Sequence, residues 1–207
     1  MGNEIQIAEN KLSSTNTPTA VFKNSGDNGL QISNQGTINF FMTANNGEVY
    51  SAGSTISNDY YNLFVVGGES FNEGHFLIEK DRALTTAEGI ASEISAEFAA
   101  LTPEAIAKIK TFPSLFAGEN REYGRTDTDH LAFFGMVTNI RIQENGIKIY
   151  FQKFSSLPQQ RLNETMRELA IYGKPSFNEL NRTHWAIKKI NLIEELKAAG
   201  ISVLVPT

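Results

Sequence analysis

The chain has 207 residues, 41% of them hydrophobic, so it can bury a sizeable core in one medium domain or two small ones. The absence of cysteine excludes a disulfide framework, thiolate zinc sites, iron–sulfur ligation and a cysteine nucleophile, and fits a reducing compartment. The net charge of -5 hides a division: residues 1–134 carry 8 Lys/Arg against 17 Asp/Glu (-9), whereas residues 135–207 carry 10 against 6 (+4), so an acidic front precedes a basic back.

The N-terminal run "MGNEIQIAENKLSSTNTP" has no basic region leading into an apolar one, and no segment reaches the roughly 18 apolar residues of a membrane span, which predicts a cytoplasmic protein with no membrane partner. Met1-Gly2 opens like a myristoylation signal, but Gln6 stands where Ser or Thr is required.

Residues 1–60 are rich in Asn, Ser, Thr and Gly and lack a helical period, which leaves strands and turns or partial disorder. Short apolar runs, "TAVF", "GLQIS", "TINFFM" and "EVYSA", are separated by Asn24-Ser25-Gly26, Asp27-Asn28-Gly29, Gln35-Gly36 and Asn45-Asn46-Gly47. Such residues tolerate positive φ and punctuate a β meander. "YYNLFVVGGE" reads as a buried strand stopped by Gly67-Gly68, and "HFLIEK" as its partner.

From Thr86 to Ala100, Ile90, Ile94 and Phe98 recur four apart and predict an amphipathic helix. A second begins at Thr102 as N-cap with Pro103 in its first turn, and Pro113 stops it. Residues 119–130 read as a polar loop. "LAFFGMVTNIRIQENGIKIYFQKF" is a hairpin turning at Asn145-Gly146, with Phe134, Met136, Ile140 and Ile142 on one face and Thr138 the exception; Ile147, Ile149 and Phe151 line the facing strand. Arg141, Gln143, Lys148, Tyr150 and Gln152 fall on its wet face. Pro158 opens a helix ending near Gly173; a last helix is capped by Thr183, carries Ala186, Ile190, Ile193 and Leu196 inward and closes at Gly200, and "ISVLVP" ends the chain as a strand.

The fold expectation is therefore α+β: a β-rich meander over residues 1–83, its first 18 or so flexible, then two helices and a compact unit over 84–207 of a β-hairpin or small barrel packed with helices, the two parts being able to form one unit.

Three chemistries are weighed. "TDTDH" brings Asp127, Asp129 and His130 within four residues, able to share a divalent cation if the loop curls, although Asp and Thr equally make ordinary turns; it would support a metal-dependent hydrolase. Glu73, His75, Glu79 and Asp81 do not assemble a hydrolytic pair, since alternation places only His75 and Glu79 together. No nucleophile elbow, zincin or P-loop motif occurs, Gly67-Gly68 lacks the third glycine of a dinucleotide site, and no cofactor is implied. "NRTHWAIKK" joins cations to an aromatic, so Arg182, Trp185, Lys188 and Lys189, extended by Arg141, Lys148 and Tyr150, would form a nucleic-acid surface on a barrel-type single-strand binder. Helical spacing scatters them, and a lone Trp is commonly core packing.

Within "GDNGLQISNQGTINF", the core Leu30-Gln31-Ile32, a small residue and Asn34 resembles the centre of RHIM-type amyloid signalling motifs, with Ser33 where that family usually has Gly. The resemblance implies homotypic templating through Leu30, Gln31, Ile32, Asn34, Ile38 and Phe40, with identical strands stacked in register. An intramolecular hairpin burying Leu30, Ile32, Ile38 and Phe40 is the alternative, yet Gly29 to Asn45 has neither the charge nor the proline that guards native edges. The leading expectation is a non-enzymatic bacterial binding or interaction protein, accessory to a defence or signalling system, whose partner is itself or another protein through the front region; nucleic-acid binding by the back half is the alternative.

Overall fold

The computed structural model describes residues 56–85, 90–171 and 177–205, and the backbone of residues 41–43, 49–51 and 173–174. The chain divides into two compact units between Ala52 and Gly53. In the first, β1 (Phe41–Thr43) pairs antiparallel with β2 (Val49–Ser51), the register running Phe41 to Ser51. The self-association residues Leu30, Gln31, Ile32, Asn34, Ile38 and Phe40 lie outside the described residues.

The second unit is built on a curled, six-stranded half-barrel. Its strands are β3 (Tyr61–Val65), β4 (His75–Ile78), β5 (Pro113–Ala117), β6 (Leu131–Gln143), β7 (Gly146–Pro158) and β10 (His184–Lys188), in the order β10-β3-β5-β6-β7-β4. Only β3 and β5 run parallel. Two-residue strands β8 (Gly173–Lys174) and β9 (Phe177–Asn178) pair separately. The described helices are α1 (Ser92–Phe98), α2 (Pro103–Ile109), α3 (Gln159–Glu164) and α4 (Leu192–Ala198), and none is long and apolar enough to cross a membrane. The α+β expectation holds for this unit. Its sheet takes strands from both sides of the boundary expected at residue 83.

Every residue of β10, β3 and β5 is buried, because both faces of these neighbouring strands are covered. On one face Tyr61 Oη donates to Leu169 O (2.6 Å) beyond α3; on the other, Asn62 Nδ2 donates to Ile109 O (3.2 Å) of α2. Thr102 Oγ1 accepts from Ala105 N (3.2 Å) and caps α2, as its sequence predicts. The inner face is aromatic: Phe64 stacks on Phe116 at 5.3 Å and on Trp185 at 5.2 Å, and Phe76 meets Phe64 edge-on at 5.3 Å. Phe71 enters from the β3–β4 loop with φ 56°, held by its N–H donating to Glu69 Oε1 (2.8 Å), and packs against Phe76, Phe116, Phe133 and Phe151. Each fully buried ring of this kind contributes about 1.5–3 kcal/mol of transfer free energy.

Several expectations are corrected. β4 pairs with β7, not β3. Residues 113–117 form β5, since Pro113 is tolerated as the first residue of a strand. The hairpin turns at Glu144-Asn145 with Gly146 opening β7, and register shifts at Phe134/Gly135 and Val137/Asn139 change which side chains face inward. Ala132, Phe134, Val137 and Ile140 are consequently buried, whereas Met136 is half-buried and Ile142 exposed. The helix opened at Pro158 stops at Glu164. The helix expected from Thr183 is instead β10 followed by α4, whose cap is Asn191 accepting from Glu194 N (3.3 Å). Residues 201–205 form no strand; Ile201 is buried there and Leu204 exposed.

Past β4, a 3-10 turn (Lys80–Arg82) leads to Ala83, which bridges in parallel to Trp185, and Leu84 N donates to Trp185 O (2.9 Å). The two ends of the sheet are thereby drawn toward each other.

Candidate binding surface

Alternation along β7 sends Ile147, Ile149 and Phe151 inward and leaves Lys148 and Tyr150 on the outer face, both half-buried. The shift at Val137/Asn139 sets the outer face of β6 in phase with them. Asn139 comes opposite Tyr150 and Arg141 opposite Lys148, while on the other side of β7, His75 faces Tyr150 and Leu77 faces Lys148. The Tyr150 ring is the centre of this patch. Arg141 Cζ lies 5.3 Å and Lys148 Nζ 5.4 Å from its centroid, and the His75 ring 5.8 Å away at 36°. Each cation–π contact is worth about 0.5–1 kcal/mol at an exposed site, which holds both cations at one aromatic ring. Glu73 and Glu79 flank β4, so the cationic part of the surface lies on β6 and β7.

Three of the seven residues expected to touch nucleic acid, Arg141, Lys148 and Tyr150, are brought together. The others are not. Trp185 is fully buried in the aromatic core, its Nε1 donating to Asn62 Oδ1 (3.3 Å). Lys188 is buried against Glu179. Arg182 is half-buried near the Phe177 ring (5.7 Å), and Lys189 is exposed beyond the end of β10, at the opposite end of the sheet order from β4. Trp185 and Lys188, expected on a helix starting after Thr183, are core residues of β10.

Glu179 was missed because its partners are local only in the folded chain. Lys188 Nζ donates to its Oε1 at 2.7 Å, and His184 Nε2 stands 3.4 Å from its Oε2. His184 Nδ1 lies 3.0 Å from Arg182 O, a carbonyl that can only accept, so Nδ1 carries a proton and Nε2 donates to Glu179 when the ring is protonated. Burial pushes the Glu179 carboxyl up, but the His184 hydrogen bond and the charge and hydrogen bond of Lys188 outweigh it, and the group sits below its ordinary value. Asn178 Oδ1 accepts from Leu180 N (2.9 Å) and Asn181 Oδ1 from Asn178 N (3.0 Å), which fixes the turn carrying Glu179, and the bond from Lys188 ties that turn to β10.

A second buried polar group is fully paired. Gln159 accepts from Gly118 N (3.0 Å) and donates to Gly118 O (2.8 Å), continuing β5 as a strand residue would. Its Nε2 also reaches Asn120 Oδ1 (3.0 Å), and Asn120 Nδ2 donates to Asn163 Oδ1 (2.7 Å). Satisfied amides of this kind fix loops.

In "TDTDH", Asp127 and Asp129 are exposed, Asp127 lies 3.6 Å from Arg121 Nη1, and its carbonyl accepts from His130 N (3.1 Å). The His130 ring covers Gly118, where a Cβ would come within 2.6 Å of Nε2. Among the described residues no group of three His, Asp or Glu side chains is placed to hold a metal, so Asp127, Asp129 and His130 read as a turn. Gly67-Gly68 is likewise a turn, with Gly68 at φ +72° and the Glu119 carboxylate lying over Gly67.

In comparisons of the chain with protein-family models, curated proteins and solved structures, none matches.

Proposed function

We propose that the half-barrel is a binding module whose working surface is the outer face of β4, β7 and β6, and that its ligand class is single-stranded nucleic acid. The observation that carries this reading is the placement of Arg141 and Lys148 against the one Tyr150 ring. A base stacking on such a ring gains about 1–3 kcal/mol without regard to sequence, while two cations hold the backbone beside it. The acidic balance of residues 1–134 opposes nonspecific phosphate binding elsewhere, which favours a small, defined contact.

Titration of fluorescently labelled single strands tests this. With two phosphate contacts, log K against log salt should fall with a slope of about -1.4. Tyr150→Ala should weaken binding about tenfold or more at every salt concentration, and Arg141→Ala with Lys148→Ala should flatten the slope. Binding absent at low salt, or unaffected by all three substitutions, refutes the reading. The expected role beside a defence or signalling system rests on residues 29–41 alone, and self-association there is proposed as a separate property.

A further inference from the structure

Asn139 stands opposite Tyr150, and the proposed function gives it no part. Strand interiors favour β-branched and aromatic residues over Asn, yet Asn139 lies within β6, half-buried, and residues paired directly across two strands share a face. Its amide is assigned by its own bond. Oδ1 accepts from Ile140 N (2.9 Å), and because a backbone N–H only donates, the oxygen and not the nitrogen must face it. Nδ2, with two donors and no acceptor capacity, meets no protein acceptor among the described residues. Holding Ile140 N at the register shift asks only for the oxygen, which Asp would supply equally. The uncommitted donor is what Asn adds.

We infer that Asn139 selects the base that stacks on Tyr150, favouring one with carbonyl oxygens along its edge, thymine or uracil, over adenine. The inference rests on the single-strand reading of this surface. Stacking on an aromatic ring tolerates every base, so any preference has to come from groups that meet the base edge. Arg141 and Asn139 lie two residues apart on the outer face of β6, so the strand that supplies a phosphate contact also supplies the amide. With the backbone held at Arg141 and Lys148, a base covering Tyr150 brings its edge toward a neighbouring strand only about 4.8 Å away.

Thymine and uracil show carbonyl oxygens, O2 and O4, that accept from Nδ2. Adenine shows no carbonyl, only ring nitrogens, and its N6 amino group confronts Nδ2 as a second donor. Cytosine and guanine carry both kinds of group and should fall between. One hydrogen bond, net of water, changes affinity roughly twofold to tenfold, so the result is a preference and not a code.

Labelled oligomers of deoxythymidine and of deoxyadenosine, each about fifteen nucleotides long, titrated against the full chain, Asn139→Asp and Asn139→Ala test this. Adenine strands stack on themselves, so the quantity read is the ratio of the two dissociation constants and its change between proteins, in which the strands' own cost cancels. Asn139→Asp keeps the oxygen for Ile140 N and turns the donor into an acceptor. It should weaken both complexes through its charge and lower the preference for thymine over adenine about tenfold, while Asn139→Ala lowers it roughly twofold to tenfold, both with unchanged circular dichroism spectra. If one variant loses its spectrum, the ratio of the other decides. A ratio unchanged in both variants, or lowered by Asn139→Ala but not by Asn139→Asp, would overturn the inference and leave the amide as a holder of Ile140 N. Binding with an unchanged ratio refutes the selection alone; no binding of either strand by the wild-type chain at low salt refutes the proposed ligand as well.

Discussion

Replacing Glu179 by Gln perturbs the most heavily committed charge in the second unit. Its carboxylate holds Lys188 Nζ at 2.6–2.7 Å with both side chains more than nine-tenths buried, and it is the charged partner of His184. Gln keeps the shape but leaves the Lys188 ammonium without a counter-charge. Breaking one partner of a buried pair costs about 3–5 kcal/mol, a large share of the 5–15 kcal/mol of a typical domain. Because the carboxyl titrates below its ordinary value, it adds stability that is complete above the unfolded carboxyl's pKa and is lost as pH falls through the lower folded value. Urea unfolding at neutral pH should therefore show a reduced midpoint with unchanged m, and the variant should lack this part of the wild-type loss in acid. Glu179→Leu with Lys188→Met removes both charges and should recover most of the loss. A single-variant loss below about 1 kcal/mol, or a double variant no better than the single, would show that Lys188 finds water and that the pair does not latch the turn to β10.

Gly135 lies at a register shift of β6, and a Cβ there would collide with the Gln152 carbonyl of β7. Gly135→Ala should cost about 1–3 kcal/mol or more in thermal or urea unfolding, and an unchanged midpoint would mean the hairpin backbone shifts freely. For the separate proposal of self-association through residues 29–41, Ile32→Lys with Ile38→Lys in the full chain should abolish self-associated species in light scattering. If such species persist, the resemblance at Leu30-Gln31-Ile32 is compositional.

Local chemistry determined a good part of the fold. The Thr102-Pro103 start predicts α2, and the alternation of Ile147, Ile149 and Phe151 predicts the inward face of β7, and both lie where local rules read them. The helix expected over 86–100 is present among the described residues only as α1, which buries Ile94 and Phe98 while Ile90 is buried ahead of its N-cap Ala91. The same alternation placed Arg141, Lys148 and Tyr150 on a wet face, so half of the candidate surface was legible as periodicity. What remained hidden was nonlocal. β10 is buried on both faces, so "THWAIKK" has no alternation to reveal a strand, and its His184 and Lys188 look solvated until Glu179 is brought beside them. β5 was concealed by a proline that a strand's first residue tolerates. Periodicity says which side of a strand is wet but never which strand lies next to it. That His75 and Leu77 stand beside Tyr150 and Lys148, and that β4 ends the sheet order, was decided only when the long β6–β7 hairpin met β4 across the curled sheet.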